Sequence, residues 1–145
     1  MHFEDVNAGN EIPALQKVPD TRQLVQWAGA SGDFYPIHYD QEFARQQGLP
    51  GVIVHGLLKY QFLVQMLSDW VGLNGGIRKV AVRYRSMDVP GDVLTCRGKV
   101  IDKRVEDGRC LVECDIWLEN QRGERTTTGT AVVWLRSRHR ADRES

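Results

Sequence analysis

The stretch from Gly56 to Val71 constrains this chain more than any other. Leu57, Leu58, Tyr60, Phe62, Leu63, Val64, Met66, Leu67, Trp70 and Val71 fall at too many helical angles to share one narrow stripe. A helix that is apolar over most of its circumference belongs in the middle of a structure, wrapped by something else. Gly72, Asn74, Gly75 and Gly76 supply its stop signal. Lys59, Gln61, Gln65 and Asp69 interrupt the run, so it is no ordinary transmembrane helix.

Beyond the helix the chain reads as β. Val80, Val82 and Tyr84 alternate with Arg83 and Arg85, the period of a strand with one buried face. Pro90-Gly91-Asp92 turns the chain into a long strand over Val93–Val105, and Glu106-Asp107-Gly108 is a hairpin signal. In Arg109–Glu119 the residues Cys110, Val112, Cys114, Ile116 and Leu118 share one face. Asn120–Gly123 turns again into a last strand over Thr126–Leu135. Ahead of the helix, the first twenty residues read as irregular, with Gly9, Pro13 and Pro19 as breakers. A short helix capped by Asp20 or Thr21 then runs to Gly32, and a short polar helix lies around Asp40–Gln47. One buried helix followed by an antiparallel meander predicts an α+β domain with a sheet curled around the helix. Such a sheet has an open edge, and pairing two copies is the usual way to hide one.

The length of 145 residues suits one domain, since domains commonly hold about 100–150. Residues 1–135 are expected to form it. Residues 136–145 are charged without apolar period and are expected to be disordered. Nineteen basic residues balance nineteen acidic ones, which points away from nucleic acid and from electrostatic attraction to a membrane, and the interrupted apolar run points away from membrane insertion. Cys96, Cys110 and Cys114 have no zinc-site spacing and fall in strand segments, where a thiol packs as a small hydrophobe. That favours a reducing compartment. No secretory pattern opens the chain, and a cytoplasmic protein is expected.

Chemistry concentrates in Ala30-Ser31-Gly32-Asp33-Phe34-Tyr35-Pro36-Ile37-His38. A carboxylate and an imidazole stand five residues apart across a proline turn, in a segment that should be irregular. Seventeen residues later come His55-Gly56, at the start of the apolar helix. Backbone N–H groups there lack intrahelical partners and can receive a partly negative oxygen. Adding water across an α,β-unsaturated thioester needs a base, a proton for the α-carbon and donors for an enolate oxygen. With reference pKa values of about 3.9 and 6.5, Asp33 and His38 can offer an acceptor and a donor at neutral pH. The Gly56 N–H can serve as the oxyanion donor, a contribution that typically amounts to about 2.7–4 kcal/mol. His55 reads as an anchor of the helix start rather than a proton carrier. Lys79, Arg83 and Arg85 form a basic stripe suited either to solvent or to phosphates.

Ser31-Gly32-Asp33-x-x-Pro36-Ile37-His38, with Gly51-x-x-x-His55-Gly56-Leu57-Leu58, resembles the MaoC-like family, or R-specific enoyl-CoA hydratase 2. The resemblance runs from about Thr21 to Leu135 and implies a hot-dog fold. It also implies hydration of trans-2-enoyl thioesters, or dehydration of the 3-hydroxyacyl product. On it, Asp33 and His38 match the catalytic pair that together hold one water. Gly56 matches the glycine whose N–H binds the thioester oxygen. Tyr35 stands where the family motif usually has asparagine, so substrate shape near the reacting carbons is expected to differ. No metal and no separate cofactor is implied, coenzyme A being part of the acyl-CoA substrate. A homodimer or higher oligomer is expected, or a heterodimer with another chain. Two rivals share the fold. A non-catalytic partner subunit would not need both Asp33 and His38. A hot-dog thioesterase would carry its acid on the central helix, where this chain has only Asp69 near the far end.

Overall fold

In the computed structural model, which describes residues 1–139, strand β1 (Glu11–Lys17) comes first. Helices α1 (Thr21–Ser31), α2 (Gln41–Gln46) and α3 (Gly56–Val71) follow. Strands β2 (Gly75–Tyr84), β3 (Leu94–Glu106), β4 (Arg109–Glu119) and β5 (Arg125–Leu135) complete the order. The strands form one antiparallel sheet in the order β1-β3-β4-β5-β2. It curls around α3, which touches every strand. Leu63 and Leu67 on the helix, with Cys96, Val112, Cys114 and Leu118 on the sheet, are fully enclosed. Each such aliphatic side chain contributes about 1.5–3 kcal/mol when removed from water.

Local chemistry explains the boundaries. Asp20 caps α1 by accepting the Gln23 N–H at 2.8 Å, and Asp40 caps α2 through Phe43 at 3.0 Å. The β3–β4 hairpin turns on Asp107 and Gly108, both at positive φ (48° and 76°), as a two-residue turn of this hand requires. Burial holds the thiols of Cys96 and Cys114 in their neutral form, pushing both pKa values up to about 12.

Three features differ from the sequence reading. The first twenty residues contain a strand, because Pro13 lies in edge strand β1 at a register shift between Ile12 and Leu15, where no ladder N–H is needed. Helix α3 is wrapped on one side only. Leu57 is 55% exposed, and Tyr60, Val64 and Trp70 are half-buried. The tail is ordered at its start. The Arg136 N–H donates to the Asn74 carbonyl at 2.7 Å, and the Ser137 hydroxyl donates to Glu4. The Arg138 guanidinium pairs with Asp5 at 2.8 Å. The acidic turn at Phe3–Asp5 thus meets the basic tail, and the Ser137 bond holds the Glu4 carboxyl down to about 2. Residues 140–145 lie outside the described residues. No helix among the described residues is long and apolar enough to cross a membrane.

Candidate active site

Two irregular segments build the site. The first leaves α1 at Gly32, whose φ of 78° stops the helix. Ser31 Oγ donates to the Trp27 carbonyl at 2.7 Å and accepts the Asp33 N–H at 3.2 Å. Asp33 Oδ1 in turn accepts the Tyr35 N–H at 3.3 Å, an Asx turn that leads into the 3-10 turn Pro36–His38. These turns point Asp33 and His38 the same way. The second segment, residues 51–55, is buried. Three of its N–H groups are taken up by Gln41 (from Val52, 2.9 Å), the Ile37 carbonyl (from Ile53, 3.0 Å) and the Asp88 carbonyl (from Val54, 2.9 Å). A Cβ at Gly51 would displace the Gln41 amide oxygen that accepts the Val52 N–H.

The two segments meet at His38. Its Nδ1 lies 2.8 Å from the Ile53 carbonyl, an acceptor, so Nδ1 carries a proton. In the neutral ring Nε2 is then an acceptor, and it lies 3.8 Å from Asp33 Oδ2. That separation exceeds a direct hydrogen bond yet can be bridged by one water. His38 is 9% exposed and Asp33 39%, so the carboxylate opens the site to solvent.

His55 completes the cluster from behind. Its ring stacks on His38 with centroids 3.8 Å apart and planes 19° from parallel. Its Nε2–H donates to the Asp33 backbone carbonyl at 3.3 Å, while Nδ1 is buried without a partner among the described residues. Burial first, then the neighbouring His38, lowers its pKa and favours the neutral ring. The side chain makes no capping bond to α3, contrary to an anchoring role there, and at 0% exposure it supports the site rather than lining it. Asp33, His38 and His55 place one ligand-type atom each within 4.8 Å of one another. Nearly parallel imidazoles direct their in-plane lone pairs side by side, which is poor geometry for one shared ion.

Gly56 opens α3, so its N–H lacks an intrahelical partner and none is supplied among the described residues. Tyr35 is 52% exposed and packs edge-on against His38 (6.4 Å) and Phe43 (6.0 Å). It thereby borders the pair. Arg83 and Arg85 project from the face of the sheet turned away from α3, opposite Val82. There they line an open groove of about 600 Å³ with Lys99 and Arg125, and Lys79 is not part of it. The basic stripe therefore does not face the dyad.

A model of the MaoC like domain matches residues 4–119, a span containing both site segments. The chain belongs to this family. Among curated proteins, this MaoC-like domain is 31% identical over 133 residues to fatty acid synthase 2 of Mycosarcoma maydis, covering 86% of the chain but only 3% of that protein. It is 28% identical over 105 residues to the 3-oxo-4,17-pregnadiene-20-carboxyl-CoA hydratase beta subunit of Mycobacterium tuberculosis, covering 72% of the chain and 80% of that subunit. Among solved structures, the ChsH1-ChsH2 complex of M. tuberculosis matches with 26% identity and a TM-score of 0.79, over 90% of this chain and 99% of that one. R-hydratase PhaJ1 of Pseudomonas aeruginosa matches with a TM-score of 0.85 at 19% identity, over 99% and 94%. The sheet around α3 is thus a hot-dog fold.

Sequence reasoning on this MaoC-like domain missed a buried group beside Gly56. Lys59, read only as an interruption of the apolar run, is 3% exposed. Its Nζ donates to Asp88 Oδ2 at 2.9 Å and to the Ser86 carbonyl at 3.1 Å. Asp88 is fully buried and also accepts from the Thr126 hydroxyl at 2.7 Å. The available signal was a lysine at the third position after the helix start, inside an otherwise apolar face.

Proposed function

We propose that this MaoC-like domain adds water across the α,β double bond of an acyl-CoA, or removes it from the 3-hydroxyacyl-CoA. The observation that carries this reading is the 3.8 Å gap between His38 Nε2 and Asp33 Oδ2, with His38 Nδ1 committed to the Ile53 carbonyl. Both groups facing the gap are then acceptors. A water held there donates a hydrogen to each and turns its oxygen lone pairs outward. Asp33 takes one proton as the oxygen bonds to the β-carbon, and the pair returns that proton to the α-carbon. Between the two events the thioester oxygen carries enolate charge, which the Gly56 N–H at the head of α3 stabilises. Written this way, the reaction uses no cofactor beyond the coenzyme A of the substrate. The hydratase names of the relatives support the reaction class.

Crotonyl-CoA and a longer enoyl-CoA provide the test, with loss of conjugated absorbance followed alongside free thiol. Loss of absorbance without thiol is expected. Asp33→Asn and His38→Ala should each lower turnover by roughly 10²–10⁴-fold while the thermal midpoint stays near that of the parent. Near-parental turnover in either variant would defeat the assignment. Thiol release would mean a thioesterase, which the position of Asp69 near the exposed far end of α3 argues against. A second reading is a partner subunit of a heteromeric hydratase. It draws on the half-covered α3 and on the two-chain complex among the similar structures. No turnover by the chain alone, with turnover restored by a second chain, would favour it.

A further inference from the structure

Strand β2 ends on Tyr84, whose ring lies over the glycine that starts α3. A Cβ on Gly56 would sit 3.0 Å from Tyr84 Cζ and 3.2 Å from both Cε atoms. Near-equal distances to three contiguous ring atoms mean the ring is met face-on, and at its hydroxyl end. Oη is bonded to Cζ and therefore lies beside the first turn of α3. From this placement we infer that the Tyr84 hydroxyl is a second hydrogen-bond donor to the thioester oxygen, acting beside the Gly56 N–H. The inference rests on the hydratase reading and names a further residue for that site.

Three observations support it. Tyr84 is 47% exposed, and its hydroxyl takes part in no hydrogen bond among the described residues. A donor at the site is thus free. The ring is also held in place, because Lys59 Nζ lies 5.6 Å from its centroid and is itself fixed by Asp88 and the Ser86 carbonyl. A preorganised donor is what stabilisation of developing charge requires. Finally, burial and the nearby Tyr60 phenol raise the Tyr84 pKa above its ordinary value, so the proton stays on Oη. Tyr84 gives up no proton in the reaction. It lends a hydrogen bond that strengthens as the carbonyl becomes an enolate, and that bond relaxes when the α-carbon is protonated.

The test is Tyr84→Phe, which keeps the ring over Gly56 and removes only the hydroxyl. With crotonyl-CoA, kcat is expected to fall about 100-fold with KM within about twofold and the thermal midpoint unchanged. Acetoacetyl-CoA gives a second readout, since its bound enolate fraction, followed by ultraviolet absorbance, should drop in the same variant. A kcat within twofold of the parent, or an unchanged enolate fraction, overturns the role of Tyr84 and leaves the hydratase reading standing. Absence of turnover in the parent itself overturns the hydratase reading, and this inference with it.

Discussion

His38 and His55 lie ring on ring, yet their nitrogens answer to different carbonyls, and this separates their duties. His38 is locked by Ile53 with Nε2 toward Asp33, whereas His55 is buried with one nitrogen unpartnered. Because the folded-state pKa of His55 is lowered, the unfolded chain binds the extra proton first. Its contribution is therefore fully present above the unfolded pKa of about 6.5 and is lost as pH falls toward the lower folded value. Urea midpoints measured from pH 8 to pH 5 should fall less steeply in His55→Gln than in the parent. Parallel slopes would refute a neutral, buried His55. At Gly56 the prediction is steric. Gly56→Ala forces the Tyr84 ring to move and should lower kcat by about 10–100-fold, the scale on which small misplacements act. Tyr35, half-exposed at the rim, should govern selectivity more than rate. Tyr35→Asn is expected to change the ratio of kcat/KM between crotonyl-CoA and a longer enoyl-CoA, and a constant ratio would remove Tyr35 from the pocket.

Among the elements, α3 is the one that both fills the core and presents the site. Its first turn is tied to the segment after β2 by Lys59 and Asp88, an ion pair with side chains 3% and 0% exposed. Such a pair is weak evidence of net stability, but removing one partner strands a buried charge. Lys59→Met or Asp88→Asn should each cost about 3–5 kcal/mol in chemical denaturation, and the two substitutions combined should cost less than their sum. Additive losses would show that the pair does not act as a unit. The elements were largely legible beforehand. The apolar run predicted α3, the period-2 pattern predicted the strands, and Asp107-Gly108 predicted their hairpin. Edge strand β1 was not legible, since Pro13 is a breaker only where a ladder needs its N–H.

As a whole, the molecule leaves two kinds of surface unfinished. Among the described residues, strands β1 and β2 each pair on one side only, and α3 keeps a flank with Leu57, Tyr60 and Val64 incompletely covered. Unpaired backbone groups and exposed apolar area both favour a second chain. Sedimentation should find the protein as a dimer or larger at micromolar concentration, alone or with a related subunit. A stable monomer across that range would count against this.

Side-chain period was enough, from sequence alone, to determine the layer architecture, while the Gly-Asp-x-x-Pro-Ile-His segment, with His55-Gly56 at the helix start and the family resemblance they carry, nominated Asp33, His38 and Gly56. Local pattern suffices there because periodicity and turn chemistry act over a few residues. Only the tertiary structure decided that His55 stands behind His38, that Tyr84 closes over Gly56, that Lys59 finds Asp88, and that the Arg83/Arg85 stripe faces away. Each of these joins residues more than a dozen positions apart, or depends on which side of a strand meets α3. Packing settles such matters, and no short stretch of chain contains the information.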